Sequence, residues 1–194
     1  MAAGLIDAHA GGIGTAGATG DVTGNLAYVF GTSACTMTTT TGPVFVPGVW
    51  GPYFSAMVPG LWLNEGGQSA AGAAIEHLLS LHPAHAEATT LATAAGLSLP
   101  DWLVQQALAD LGERPNEDLV ERLCGLHIVP EFLGNRAPHA DPRARAVVCG
   151  LGMERDVSSL VTLYLAGVCA IGYGLRQIID TQAAHGADIE RVRA

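Results

Sequence analysis

Asp7 is one of only five acidic residues in the first hundred positions, with Asp21, Glu65, Glu76 and Glu87. It follows the short apolar run Ala2–Ile6, read as a strand, and precedes a Gly/Ala-rich stretch through Gly11, Gly12, Gly14 and Gly17. The C-terminal end of a strand is where α/β folds hold ligand-facing groups, and a carboxylate there can take a proton from a hydroxyl nucleophile. An N-cap for the following segment fits the same position, and the residues alone leave both roles open. Gly31-Thr32-Ser33 breaks a β-rich run. Such a turn either offers N–H groups and a hydroxyl to a phosphate or simply closes a hairpin. Glu65-Gly66-Gly67-Gln68-Ser69 places a carboxylate beside a glycine pair at an expected helix start. Glycine admits a ligand close to the backbone, and a helix N-terminus favours anions. Gly72 and Glu76 fall one helical turn apart and share a face; close helix packing and a solvated carboxylate are the plainer alternatives. Asp7-Ala8-His9 carries the ligand types of a metal-dependent hydrolase, but without a partner at helical ligand spacing.

The elements that must position these groups read as follows. Leu26–Phe30 and Cys35–Thr41 are strands joined by a tight glycine turn. Residues 44–63 are irregular strands, and Asn64–Gln68 is a turn. Ser69 caps a helix that runs to about Leu81 and is stopped by Pro83. Residues 87–125 form two or three helices, within a helical insertion over 84–126. Ile128–Val129 and Ala146–Val148 are short strands flanking a polar loop at Gly134–Pro138. Ser158 caps a long helix to about Ala184, and no strand follows it before Ala194. An α/β layer normally returns to its sheet, so the chain is expected to be a partial domain with an uncovered sheet edge through which it self-associates.

Composition removes several classes. The net charge is −9, and all nine basic residues are Arg, the first of them Arg114. Clustered cations for a phosphate backbone are missing, which argues against nucleic acid. Without Lys there is no P-loop lysine and no Schiff base. An anion bound by the first half must then be held by backbone N–H groups, hydroxyls, helix N-termini or a metal ion. The four cysteines sit among apolar neighbours without metal-ligand spacing. They read as buried free thiols of a reducing cytoplasm. The longest apolar run, Leu160–Leu175, is short for a bilayer and reads as a buried helix.

Several stretches, in order and spacing, resemble the FGGY carbohydrate kinase family, particularly its D-ribulokinase branch. They are Gly4–Gly12, Gly31–Ser33, Val44–Gly60, Trp62–Ser69, Gly134–Pro138 with Asp141-Pro142, and the helix Leu160–Ile179. The resemblance implies an α/β fold, the second of two ribonuclease-H-like (actin-like ATPase) domains, with the family's first domain as the missing partner. It implies ATP-dependent phosphorylation of a pentulose, with ATP and Mg²⁺ as cofactors. Asp7 then matches the general base at the sugar hydroxyl. Gly31 and Thr32 match the turn at the ATP phosphates, Gly72 a glycine near the nucleotide, and Glu76 a position where some members carry Gln. Glu65 resembles a sugar-contacting glutamate. Phosphoryl transfer depends on positioning and charge stabilisation, so none of this requires Lys. A metal-dependent hydrolase built on Asp7 and His9, and a non-catalytic remnant acting as a binding module, are the rival expectations. Alone, the chain would hold one wall of the kinase cleft and show no turnover.

Overall fold

The computed structural model describes residues 4, 6–17, 22–110 and 115–194. Most of the expected strand Ala2–Ile6, and Asp21, lie outside them. The chain divides into two units. The first combines Met1–Gly72, Glu131–Arg145 and Tyr173–Ala194, and the second Ala73–Pro130 and Ala146–Gly172.

The first unit is built on a five-stranded sheet of order β3-β4-β2-β1-β7. Its strands are β1 (Gly24–Phe30), β2 (Ala34–Thr40), β3 (Trp50–Phe54), β4 (Trp62–Gln68) and β7 (Ile189–Arg193). β1 and β2 are the expected hairpin, with Phe30 opposite Ala34. Alternation decides what each face carries. Ala27, Met37 and Leu63 form one apolar cluster with Ala16 of helix α1 (Asp7–Gly17). Tyr28, Thr36, Thr38, Asn64 and Gly66 lie on the opposite side of the pleat by register. There the C-terminal part of helix α6 (Val157–Ala184) covers the sheet. A Cβ on Gly174 would lie 2.5 Å from Gln68 Nε2, and one on Gly66 would lie 3.3 Å from Ile178 Cγ2. Helix, sheet and helix thus make three layers.

Four expectations for this unit are corrected. The Gly/Ala-rich stretch after Asp7, expected as a turn and then a short helix or loop, is helix from Asp7 onward; Gly11 and Gly12 face Val29 and Met37, and a Cβ on Gly12 would lie 2.6 Å from Met37 Sδ. Asn64–Gln68 is part of β4, paired with β2 throughout and with β3 at Glu65, and residues 63–68 are buried. Its glycines serve packing: a Cβ on Gly66 would sit 2.8 Å from Thr36 Oγ1, and one on Gly67, at φ +143°, would collide with the Ala34 carbonyl. Ser69 does not cap helix α2, which spans Gly72–Ser80. A strand does follow the long helix: β7 pairs in parallel with β1. Its sequence Ile-Glu-Arg-Val-Arg looks like a solvated tail, yet parallel pairing at a sheet edge asks little of exposed side chains.

The second unit holds α2 beyond its first residue, α3 (His85–Ala94), α4 (Leu99–Asp110), α5 (Pro115–Arg122), a hairpin of β5 (His127–Val129) and β6 (Val147–Cys149), and the first half of α6. The expected helices within 84–126 are therefore α3, α4 and α5. Arg122 ties α5 to its neighbours. Its Nη1 donates to Asp110 Oδ2 at 3.0 Å, its Nε to Thr162 Oγ1 at 2.9 Å and its Nη2 to the Ser158 carbonyl at 3.1 Å. The cap of α6 is Asp156 rather than Ser158: Asp156 Oδ1 accepts the Ser159 N–H at 2.8 Å. That bond, which favours the charged form, holds the Asp156 carboxyl below its usual range. By length and composition α6 could cross a membrane, so the expectation that its apolar run is too short does not hold for the whole helix. Its side chains nonetheless reach the protein interior in both units, with Leu160, Val161, Ile178 and Gln182 all fully buried. The four thiols are free, but Cys124 and Cys149 are exposed rather than buried. They occupy a loop and the end of an edge hairpin, where apolar sequence neighbours do not mean burial.

Candidate active site

Asp7 opens α1 and is exposed. Its Oδ1 accepts the Ala8 N–H at 2.7 Å, the only hydrogen bond it makes among the described residues. The side chain thus answers one N–H of the helix terminus, as a capping residue would, and leaves its second oxygen to solvent. Two residues on, His9 is buried and its Nε2 lies 3.1 Å from Glu65 Oε2. Positions i and i+2 of a helix point apart, so Asp7 and His9 do not converge on one ion. No group of three or more His, Cys, Asp or Glu side chains that could hold a metal occurs among the described residues.

Glu65 is the centre of a polar cluster at this end of the sheet. Its Oε1 accepts from Arg136 Nη2 at 2.8 Å while Oε2 faces His9, so both carboxylate oxygens are engaged. The Arg136 guanidinium stacks 4.5 Å above the Trp50 ring, and its Nη1 lies 3.4 Å from Cys35 Sγ. The loop carrying Arg136 is closed on itself. Asn135 donates to Glu131 Oε1 at 2.7 Å, accepts from His139 N at 2.9 Å, and donates its own N–H to the Asp141 carbonyl at 2.9 Å. Burial raises the Glu131 carboxyl above its usual value. On the opposite face of the sheet, Tyr28 donates to Gln68 Oε1 at 3.0 Å, and burial pushes its phenol up to about 12.

The sequence assigned the first half no cation. Folding supplies one from the second half, because Arg136 and Glu65 meet across 71 positions. No local pattern announced that pairing. Arg136, His9 in its present role, Trp50 and Cys35 were all missed as members of one cluster.

The β1–β2 turn is as expected, and its geometry is specific. Gly31 N–H donates to the Ser33 carbonyl at 2.9 Å. The Ala71 and Gly72 N–H groups donate to the Thr32 and Gly31 carbonyls, each at 2.9 Å, which ties Ala71 and Gly72 to the turn. A Cβ on Gly72 would lie 2.8 Å from the Gly31 oxygen, so only glycine permits this approach. The carbonyls are thereby occupied, while the N–H groups of Thr32 and Ser33 have no partner among the described residues. All three turn residues are exposed. Free N–H groups with two hydroxyls suit an anion such as a phosphate. Glu76 lies one turn along α2 from Gly72 and is exposed. Of the expected site residues, the structure joins Gly31, Thr32 and Gly72 directly, and links Glu65 through His9 to the helix that Asp7 opens.

Comparison with known proteins gives a consistent picture. The chain is 45% identical over 199 residues to a human FGGY carbohydrate kinase domain-containing protein, covering 97% of this chain and 36% of that protein. It is 32% identical to a D-ribulokinase of Saccharomyces cerevisiae, covering 99% of this chain and 29% of that one. The chain thus spans about a third of the length of these curated relatives. Among solved structures, xylulose kinases from Brucella ovis and Bifidobacterium adolescentis superpose with TM-scores of 0.66 and 0.62, each at 20% identity over 95% of this chain and about a third of their own chains (32% and 30%). The fold is therefore that of the ribonuclease-H-like, actin-like ATPase domains of sugar kinases. Residues 26–194 match the C-terminal domain of the FGGY family of carbohydrate kinases, and the chain belongs to that family.

Proposed function

We propose that this chain is the ATP-side domain of a pentulose kinase that phosphorylates D-ribulose, with Asp7 as the general base. The observation that carries the reading is the β1–β2 turn. Its Thr32 and Ser33 N–H groups are exposed and have no partner among the described residues, and Gly72 packs on the Gly31 carbonyl, in a domain of sugar-kinase ancestry. The identity to a protein named D-ribulokinase favours D-ribulose over other pentuloses.

In this reading Gly31, Thr32 and Gly72 hold the phosphate end of ATP and Glu76 lies toward the nucleotide. Asp7 accepts the proton of the attacking sugar hydroxyl, and Glu65, fixed between His9 and Arg136, shapes the sugar side. A Mg²⁺ ion would be carried mainly by phosphates and water, with the exposed Asp7 carboxylate able to assist. ATP with Mg²⁺ supplies the phosphoryl group and neutralises its charge; the residues here orient it and receive the proton. The partner is a first kinase domain that closes the cleft, and residues 84–126 are an insertion in this one. Exposed free thiols at Cys124 and Cys149 favour a reducing compartment, the cytoplasm.

The test is ATP-dependent turnover by the complete protein carrying this segment, across D-ribulose, L-ribulose, xylulose and a polyol. The expected result is the highest kcat/KM for D-ribulose. A higher value for another sugar contradicts the substrate, and no turnover with any of them contradicts the kinase assignment.

A further inference from the structure

Arg136 has five N–H groups on its guanidinium, and the protein engages one on Nη2 through Glu65 and one on Nη1 through Cys35. The Nε–H is buried and has no partner among the described residues. The second N–H of each terminal nitrogen is likewise unengaged among the described residues, so the guanidinium keeps spare donors. Beside it lies an open cavity of about 630 Å³ whose walls include Ser33, Trp50, Ser69, Asn135 and Arg136. Asn135 spends its side chain inside its own loop, on Glu131 and His139. The polar side-chain groups left for an occupant are therefore two hydroxyls, the Trp50 indole N–H and the guanidinium. Stacking on Trp50 and the Glu65 bond hold the guanidinium plane in place before anything binds. A planar, pre-oriented guanidinium with spare N–H groups, next to serine hydroxyls, is complementary to tetrahedral oxyanions, which Arg grips in a forked geometry that Lys does not reproduce.

We propose that Arg136, with Ser33 and Ser69, forms a binding site for a phosphate group in this cavity. Ser33 belongs to both the cavity and the β1–β2 turn, so the site adjoins the phosphate end assigned above, and the inference rests on that reading for its role in the reaction. Arg136 then supplies the positive charge that the first half of the sequence lacks. The phosphate has two sources in a sugar kinase, the nucleotide and the phosphorylated sugar, and both present the same oxyanion.

The experiment follows the Arg136 Nε–H resonance in the full-length protein carrying this segment, labelled with ¹⁵N at arginine and assigned by Arg136→Lys. Inorganic phosphate, Mg²⁺-ATP and the pentulose phosphate are titrated separately. A saturable shift with inorganic phosphate is expected, and whether ATP or the sugar phosphate reproduces it at lower concentration identifies the source. Arg136→Met is expected to weaken phosphate binding about ten- to a hundredfold, the worth of a charge-assisted hydrogen bond, with Arg136→Lys between. If Mg²⁺-ATP binds and turns over while the Arg136 resonance stays still with all three probes, the inference is overturned and the kinase assignment stands. If phosphate shifts the resonance in a protein that phosphorylates no sugar, the site stands and the kinase assignment falls. Should Arg136→Met misfold, the titrations of the unmodified protein still decide.

Discussion

The two units of the chain each carry a half-buried arginine at a cavity, and the two are employed differently. Arg122 lines a cavity of about 680 Å³ in the second unit, but its Nε and both terminal nitrogens are bonded, to Thr162, Asp110 and Ser158. Arg136 in the first unit has an Nε without a partner among the described residues, and the Trp50 ring it stacks on is half exposed. The same contrast runs through their surroundings. In the second unit His82 accepts from Ala84 N at 3.1 Å and lies 3.2 Å from Ser159 Oγ, while Asp156 closes the helix end. In the first unit, the N–H groups of Thr32 and Ser33 and one oxygen of Asp7 have no partner among the described residues. A saturated polar group holds a fold together, whereas an unsaturated one at a cavity wall is available to a ligand. Cavity size does not separate the two units, but hydrogen-bond accounting does.

This contrast can be broken at several points. The largest expected effect is on Arg122. Arg122→Met removes three anchors between helices, two of them to exposed acceptors that water can then satisfy, at a cost of about 1–2 kcal/mol in stability. Thermal or denaturant unfolding checks it; a change below about 0.5 kcal/mol, the range of inert surface changes, would mean the bonds are ornamental. Thr32→Val is the opposite case. The turn survives, so stability moves by no more than about 0.5 kcal/mol. In the complete enzyme, loss of a hydroxyl on a charged phosphate lowers kcat/KM for ATP about tenfold or more. Unchanged ATP kinetics would remove the turn from the phosphate site.

The smallest effect is a pH dependence at His82. Burial lowers its pKa from 6.5, opposed by the Asp156 charge and aided by that of Arg155. Its Nδ1 accepts a hydrogen bond, which requires the neutral ring. The unfolded chain therefore takes up this proton first on acidification. The stabilisation is complete above about pH 6.5 and is lost as pH falls through the lowered folded value. The thermal midpoint should decline between pH 7.5 and 5.5, and less so in His82→Asn, whose amide oxygen can still accept from Ala84. Equal slopes in both proteins would show that His82 is not the titrating group.

Much of the first unit was legible because its signals are local. The hairpin at Gly31–Ser33 follows from β-rich runs flanking a glycine, and in the second unit the expected helices within 84–126 are present as α3, α4 and α5. What failed depended on tertiary context. Gly31 and Gly67 look alike in sequence. A Cβ on Gly31 would meet nothing closer than 3.8 Å, whereas one on Gly67 would run into the Ala34 backbone. The first glycine makes a turn and the second lets two strands approach, and composition does not distinguish those uses. The charged strand β7 and the Glu65–Arg136 pair were likewise hidden, since their partners lie far away in the chain. The candidate residues Asp7, Gly31, Thr32, Glu65 and Gly72 were visible one by one, chiefly through family resemblance. The cluster that ties Glu65 to His9, Arg136 and Trp50 appears only in three dimensions.

The central claim is that Asp7 serves chemistry beyond its bond to the Ala8 N–H. Asp7→Asn in the complete enzyme separates the two roles, because Asn is about as good a cap as Asp but cannot take a proton from the sugar. Turnover and thermal midpoint are measured on the same variant. The account predicts a fall in kcat of at least about a hundredfold, within the range for loss of a general base, with the midpoint nearly unchanged. A well-folded Asp7→Asn enzyme with near-normal turnover would contradict it.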